Sequence, residues 1–489
     1  MAINLILRAD ASPRMGTGHV MRCLALAQAA QDQGLEVQLV GRVSVPWVQE
    51  RLRAERLSLQ EIPDAVPHEE DPANLLQQLA KTGFTPADSW VVLDGYHFTL
   101  ACQLAVRNTG YRLLVIDDYA HLPEYSCDIL LNQNLGAEEL PYAGDIGLKL
   151  LGLRYALLRR EFRKARERLS SIKRNVPPQN ILVTLGGGDF IEYLENIAQG
   201  MSIPVMRGRT VRVIQGAMDA VKIKKAFTNC PARLEILPRV EDMPSLLLDT
   251  DLCITAGGST CWELCCLEVP FITVEMVENQ RNIVRSMEDI GTALQFTRAT
   301  FAAALDTSPK MTAMPTTVGG NGALLTLAEC MVSLRHVAAA DIDFLFHLAN
   351  TPSIRAVSFR DAPITWEEHV RWFQKKLQQT SSFFILEYNQ EPCGYVRFSG
   401  NTGWVDVSIA ISPEAREKKV ALVGLQRACH RFFVQEPAIQ GIRAFVKITN
   451  QPSMKLFERA GFIRHADEQH GGICVAHFSF ATTTNLDTR

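Results

Sequence analysis

The 489-residue chain has 12 cysteines but no C-x-x-C pair. Its densest thiol group, Cys261, Cys265 and Cys266, falls on an apolar, helix-like run, as expected of buried cysteine acting as a small hydrophobe. A disulfide framework and a cysteine metal centre are therefore not expected. His68, His97 and His121 are scattered, with no second ligand at metal-like spacing, so no metal is expected either. Basic surplus is missing too: Lys+Arg number 50 against Asp+Glu 53, a formal charge of −3. That excludes the electrostatic footprint of a nucleic-acid binder. No apolar run approaches the roughly 20 residues of a membrane span. MAINLILRAD lacks a basic stretch leading into an apolar one with a small-residue cleavage site, so a cytoplasmic chain with no membrane partner is expected. Low-complexity segments and internal periods of 20 to 50 residues are absent as well.

What is present is ordinary globular composition, 47% hydrophobic and 21% charged, over a length that predicts two to four domains. Short apolar runs ending in polar residues alternate with helical patterns in the first third. They include the residues before Arg8, WVVLDGYHF (90–98), YRLLVIDDY (111–119) and CDILLNQN (127–134). Such alternation predicts a parallel sheet covered on both faces, with ligands beyond the carboxyl ends of its strands. Arg8, Asp10, Asp94, Tyr96, Asp117 and Asp118 fall at those ends. For Asp117 and Asp118, turn and capping roles are as good a reading as function.

A polar stretch, 160–180, fits a solvated helix in its first part, and its Pro-Pro end reads as a linker. Strands resume at NILVTLGGGD (180–189), and residues 251–276 read strand, Gly-Gly turn, helix, strand. A helix over 319–335 closes this second half. From His336 onward the texture changes to a meander of three strands over 381–412, then helix, strand and helix, an α+β domain. The expected domains are 1–172, 173–335 and 336–489.

Two constellations carry chemistry. In RADASPRMGTGHVMR (8–22), Gly16 and Gly18 precede His19 at a predicted helix start. Free N–H groups there favour an anion and disfavour imidazolium, so His19 is expected to be neutral and able to act as a base toward water. A helix cap beside a surface histidine is the plain alternative. The crowding of Arg8, Asp10, Ser12 and Arg22 favours function, and Asp10 or Arg8 is a candidate to orient His19 or a phosphate. In TAGGSTCWE (255–263), Gly257, Gly258, Ser259 and Thr260 offer donors to a diphosphate, and Glu263 is spaced to accept ribose hydroxyls. Asn279, Gln280 and Asn282 follow the next strand and are placed to close over a ligand. Gly186, Gly187, Gly188 and Asp189 form a further strand-end loop, with a plain turn as rival reading.

As a set, R-x-D-x-S-x-x-x-G-x-G-H-x-x-R, VVLDGYHF, VIDDYAH, ILLNQN, GLRYALLRREF, VTLGGGD and ITAGGSTCWELCCLEVPFITVEMVENQRN resemble the UDP-sugar hydrolases of pseudaminic acid biosynthesis over residues 1 to 333. The resemblance implies a GT-B-like pair of Rossmann-like domains around a cleft. It implies hydrolysis of UDP-2,4-diacetamido-2,4,6-trideoxy-β-L-altropyranose without a cofactor. In that case His19 aligns water at the anomeric carbon, and Asp94, Tyr96 and Asp118 line the sugar pocket. A GT-B glycosyltransferase and a nucleotide-sugar-binding scaffold are the alternatives.

Residues 336 to 485 resemble a GNAT-type acetyltransferase, best at TNQPSMKLFERAGF (449–462). The resemblance implies acetyl-CoA held at Ile411, Arg416, Asn450 and Phe457. Arg416 matches the family's R-G-x-G-x-G/A turn, but Glu417 and Lys419 stand where glycines are expected. Phe457 stands where many relatives carry a tyrosine. A weakened acetyl-CoA loop is therefore expected.

Overall fold

A computed structural model describes residues 3–238, 240–276, 280–307, 318–377, 382–400, 403–470 and 472–481. The chain divides into two compact units, Ile3–Thr326 and the residues from Leu327 on.

The first unit is built on two parallel sheets. β1 (Asn4–Ala9), β2 (Val37–Gly41), β3 (Ser58–Glu61), β4 (Ser89–Asp94), β5 (Arg112–Ile116), β6 (Tyr125–Asn132) and β7 (Gly144–Leu151) lie in the order β3-β2-β1-β4-β5-β6-β7. β1 and β4 are buried almost end to end, as continuous apolar strands of a doubly covered sheet must be. The chain leaves β1 for β2 on one side and later returns to β4 on the other, so the strand order reverses between β1 and β4. Ala9 pairs with Asp94 there, so Asp10 and Gly95 leave the sheet side by side at its switch point. The helix Gly18–Gln31 follows β1 and buries Val20, Cys23, Leu24, Leu26 and Ala27.

The second sheet repeats the design. β8 (Asn180–Thr184), β9 (Thr210–Ile214), β10 (Arg233–Leu237), β11 (Leu252–Ala256), β12 (Phe271–Val274) and β13 (Leu294–Gln295) run β10-β9-β8-β11-β12-β13. Its switch point lies between β8 and β11, where Thr184 pairs with Thr255. The loops 185–189 and 257–259 leave the sheet together there.

The second unit is α+β. β14 (Val332–His336), β15 (Phe383–Tyr388), β16 (Glu391–Ser399), β17 (Trp404–Ile411), β18 (Gly441–Lys447), β19 (Ile463–Arg464), β20 (Glu468–His470) and β21 (Ile473–Ala481) form one sheet, β14-β15-β16-β17-β18-β21-β19, with β20 on β21. β15, β16 and β17 are the expected meander. The helix expected over 319–335 instead spans Gly322–Met331, and residues 332–336 are already a strand paired with β15. β17 and β18 run parallel, and their ladder covers only Trp404–Asp406 against Gly441–Arg443; beyond it the two strands separate. Among the described residues, no helix is long and apolar enough to cross a membrane.

Candidate active site

The switch point of the first sheet gathers His19, Arg22, Asp94, Tyr96 and Asp118. His19 stands in the first turn of its helix, and its Nδ1 lies 2.7 Å from Asp94 Oδ1. Asp94 is fully buried. Burial would raise its carboxyl, but the Arg22 guanidinium and His19 beside it hold it below its ordinary value. An ionised carboxylate only accepts, so the tautomer that satisfies this contact has its proton on Nδ1, a nitrogen that also lies 3.2 Å from Arg22 Nη2. His19 Nε2 then bears the lone pair, and it has no partner among the described residues. Gly18 beside it is exposed, and a Cβ there would meet nothing within 4 Å. Gly16 has a different reason to be glycine: its φ of +85° closes the turn in which Gly16 N donates to Ser12 O at 2.8 Å.

Arg22 joins two carboxylates. Its Nε and Nη2 donate to Asp94 at 2.6 Å each, and its Nη1 donates to both Asp118 oxygens at 2.8 and 2.9 Å. Burial works against the charge on Arg22, but the two carboxylates push its pKa well above the ordinary value. Asp118 is likewise held well below the carboxylate range against its burial, chiefly by Arg22. Tyr96 Oη donates to Asp118 at 2.5 Å, and the Tyr96 ring stands edge-on to His19 with centroids 5.1 Å apart. The structure thus separates the two neighbouring aspartates. Asp118 faces this cluster. Asp117 instead accepts from the Tyr119 and Ala120 backbone and from Tyr142, and pairs with His121, as a turn residue.

Arg8 and Asp10 are not in contact with this cluster. Both are wholly buried, paired to each other, and tied to Glu70 and Arg42. Their charged groups are taken up by this buried network, and the carboxylate beside His19 is that of Asp94. Asp10, Glu70 and His97 bring three ligating atoms within 4.8 Å of one another. Arg8 and Arg42 already occupy the two carboxylates, so a cation there would meet two guanidiniums at close range. The donor set does not fit a metal. Gly95 helps seat this layer, since a Cβ on it would lie 2.7 Å from His97 Cε1.

The loops of the second sheet approach the same region. A Cβ on Gly187 would lie 3.7 Å from the Thr17 side chain, so the loop after β8 sits against the turn before His19. The two glycines after β11 differ. Gly257 is buried, and a Cβ there would lie 2.6 Å from Val284 Cγ2, so it is glycine for packing. Gly258 faces open space, followed by exposed Ser259 and half-buried Thr260. Glu263 accepts from Arg159 Nη2 at 2.9 Å; burial raises its carboxyl, Arg159 opposes the rise and Glu161 adds to it. Gln280 is turned inward, its Oε1 accepting from Met276 N at 3.1 Å. Asn279 lies outside the described residues.

A cavity of about 230 Å³ connects the halves, lined by Asp118, Asn134, Asn282, Arg285 and Ser286 among others. Asn134 was not singled out by sequence, nor was Trp262. Trp262 Nε1 donates to Asn134 Oδ1 at 3.2 Å, and Asn134 Nδ2 donates to Asp118 Oδ1 at 2.8 Å. Their signal was present in the sequence: Asn134 ends a strand-end N-Q-N run, and Trp262 stands in the first turn of the helix that follows the Gly-Gly turn.

In the second unit, Glu417 and Lys419 both hold left-handed backbone, φ +67° and +62°. The turn entering the helix Val420–Gln435 therefore keeps a glycine-like path although neither residue is glycine. Arg416 donates to Ser353 Oγ at 2.7 Å, and Ile411 ends β17 beside Gly394. Asn450 caps the helix Gln451–Arg459, accepting from Ser453 N at 3.3 Å. Phe457 is buried against Phe462 and Phe478, so its ring belongs to the core.

Comparison with known proteins agrees with this division. Residues 332–463 match the model of an acetyltransferase (GNAT) domain, and the C-terminal fold is GNAT-like. An uncharacterized protein of Methanocaldococcus jannaschii is 22% identical over 93% of this chain and 95% of its own length. The chain is a distant homologue of the UDP-2,4-diacetamido-2,4,6-trideoxy-beta-L-altropyranose hydrolase of Campylobacter jejuni, at 23% identity over 57% of this chain and 94% of that protein. Among solved structures, spermidine N-acetyltransferase from Vibrio cholerae is 20% identical and covers 31% of this chain and 96% of its own, with a TM-score of 0.28.

Proposed function

We propose that the first unit hydrolyses a UDP-sugar of the diacetamido-trideoxyhexose class, releasing UDP and the free sugar. The observation that carries this reading is the His19–Asp94 pair. It presents an Nε2 with no partner among the described residues at the switch point of one parallel sheet, with the Gly187 loop of the other sheet against the adjacent turn. The two sheets are read as a GT-B-like pair, and the distant hydrolase homologue supports the substrate class.

In this mechanism His19 Nε2 accepts a proton from water as the water oxygen bonds to the anomeric carbon. The bond from that carbon to the diphosphate oxygen breaks, and its electron pair leaves with UDP, inverting the configuration. Asp94 stabilises the imidazolium that forms, and Arg22 keeps Asp94 ionised and oriented. Gly258, Ser259 and Thr260 receive the diphosphate, whose developing charge their donors stabilise. Glu263 receives the ribose through the carboxylate oxygen that Arg159 leaves available. Tyr96 and Asp118 border the sugar.

The second unit is read as an acetyltransferase-fold partner for the acetylation that precedes UDP removal, with acetyl-CoA entering where β17 and β18 separate. The left-handed backbone at Glu417 and Lys419 supports a glycine-like turn for a pyrophosphate, while the Glu417 carboxylate opposes one. The test of the main reading is UDP release from the diacetamido sugar nucleotide with no acceptor added, by the wild type and by His19→Asn. Release by the wild type and its loss in the variant are expected. Release that depends on an added sugar acceptor would replace hydrolysis with glycosyl transfer.

A further inference from the structure

The proposed base and the proposed diphosphate loop belong to different halves of the first unit, yet an unbroken hydrogen-bonded chain connects them. Trp262 lies two residues beyond Thr260. Its indole Nε1 donates to Asn134 Oδ1 at 3.2 Å, Asn134 Nδ2 donates to Asp118 Oδ1 at 2.8 Å, and Arg22 Nη1 donates to Asp118 at 2.8 and 2.9 Å. Arg22 Nε and Nη2 then grip Asp94 at 2.6 Å, and Asp94 accepts from His19 at 2.7 Å. Trp262, Asn134, Arg22 and Asp94 are all buried, so water does not readily replace a missing partner.

Asn134 is the junction, and its orientation has one solution. An indole N–H only donates and a carboxylate only accepts. Turning the amide over would set –NH2 against the indole N–H and the carbonyl against Asp118, losing both bonds at once. The backbone of Asn134 is also clamped, its N–H donating to Asn132 Oδ1 at 2.9 Å, while Asn132 bonds to Tyr142.

We propose that Asn134 is a positioning residue that transmits the seating of Trp262, and with it of the Gly257–Thr260 loop, to the His19–Asp94 pair. Asn134 fixes Asp118, which fixes Arg22, which fixes Asp94. The role rests on the reading of His19 as the base, although the linkage itself is readable in the resting protein.

The test uses the full chain with ¹⁵N-labelled histidine. Asn134→Leu removes both bonds at the junction, Trp262→Phe removes only the indole donor, and the double variant combines them. His19→Asn assigns the His19 signals among the 11 histidines. The expected result is a shift of the His19 Nδ1–H resonance in both single variants, with no further shift in the double. UDP release should fall roughly tenfold in kcat with little change in KM, and the losses should not multiply. Its pH profile should move with the His19 signal, which a purely structural weakening would not cause. An unmoved His19 resonance in Asn134→Leu, or losses that multiply in the double variant, would overturn the linkage. A wild type that releases no UDP would sink the hydrolase reading and leave the resonance experiment to decide the linkage.

Discussion

Asp94 and His19 are 75 residues apart in sequence and 2.7 Å apart in space, and the aspartate is wholly enclosed while the imidazole reaches the surface. In the proposed reaction this pairing gives the base its tautomer. It also predicts a dual cost for Asp94→Asn. The amide leaves Arg22 without half of its charge pairing, and breaking a buried ion pair costs about 3–5 kcal/mol. UDP release should fall by about 100-fold or more, since the imidazole loses its preferred tautomer. Thermal unfolding and turnover, measured on the same sample, check both.

The same carboxylates set an acid limit. Folding lowers the pKa of Asp94 and of Asp118, so the unfolded chain binds protons that the folded chain excludes. Their stabilisation is fully present above the unfolded carboxylate pKa of about 4 and is lost as pH falls below it toward the folded values. Denaturant midpoints measured from pH 6 down to pH 3 should drop. Asp118→Asn should start lower and show a shallower drop, whereas parallel curves would count against this assignment.

The two glycines after β11 should respond differently to the same change. Gly257→Ala drives a methyl against Val284 and should destabilise by about 1–3 kcal/mol. Gly258→Ala adds a methyl to open space. It should leave the melting temperature nearly unchanged while raising KM for the UDP-sugar. Melting curves and initial rates on both variants separate packing from ligand approach.

In the second unit, Glu417 and Lys419 hold left-handed backbone that glycine adopts without strain. Replacing both with glycine should relieve on the order of 1 kcal/mol at each position, and it removes the Glu417 carboxylate from the turn. Acetyl-CoA binding followed by calorimetry should strengthen in the double variant. Equal, tight binding by the wild type would show that the side chains do not weaken the loop.

Much of this site's scaffold is legible in the sequence. The helix start at Gly18, the loops after β8 and β11 and the acidic strand ends follow from local pattern, since strands buried on both faces are continuous apolar runs. What escaped was set by tertiary pairing. Asp94 looked like a sugar-pocket residue because nothing local reveals that His19 and Arg22 converge on it. Arg8 and Asp10 looked like site residues because a charged strand end reads the same whether Glu70 and Arg42 neutralise it or a ligand does. β7, Gly144–Leu151, gives no strand signal in the sequence, since this largely exposed strand carries two glycines and lacks an apolar run. The left-handed turn at Glu417 and Lys419 runs against residue preference, so only the fold discloses it.

In the proposed reaction His19 directs water to the sugar carbon. The most direct measurement of this step is the hydrolysis of the diacetamido UDP-sugar in ¹⁸O-water, with mass analysis of the released UDP, for wild type and His19→Asn. UDP free of ¹⁸O from the wild type and negligible release by the variant are expected. UDP carrying ¹⁸O, or turnover unchanged by His19→Asn, would contradict this role of His19.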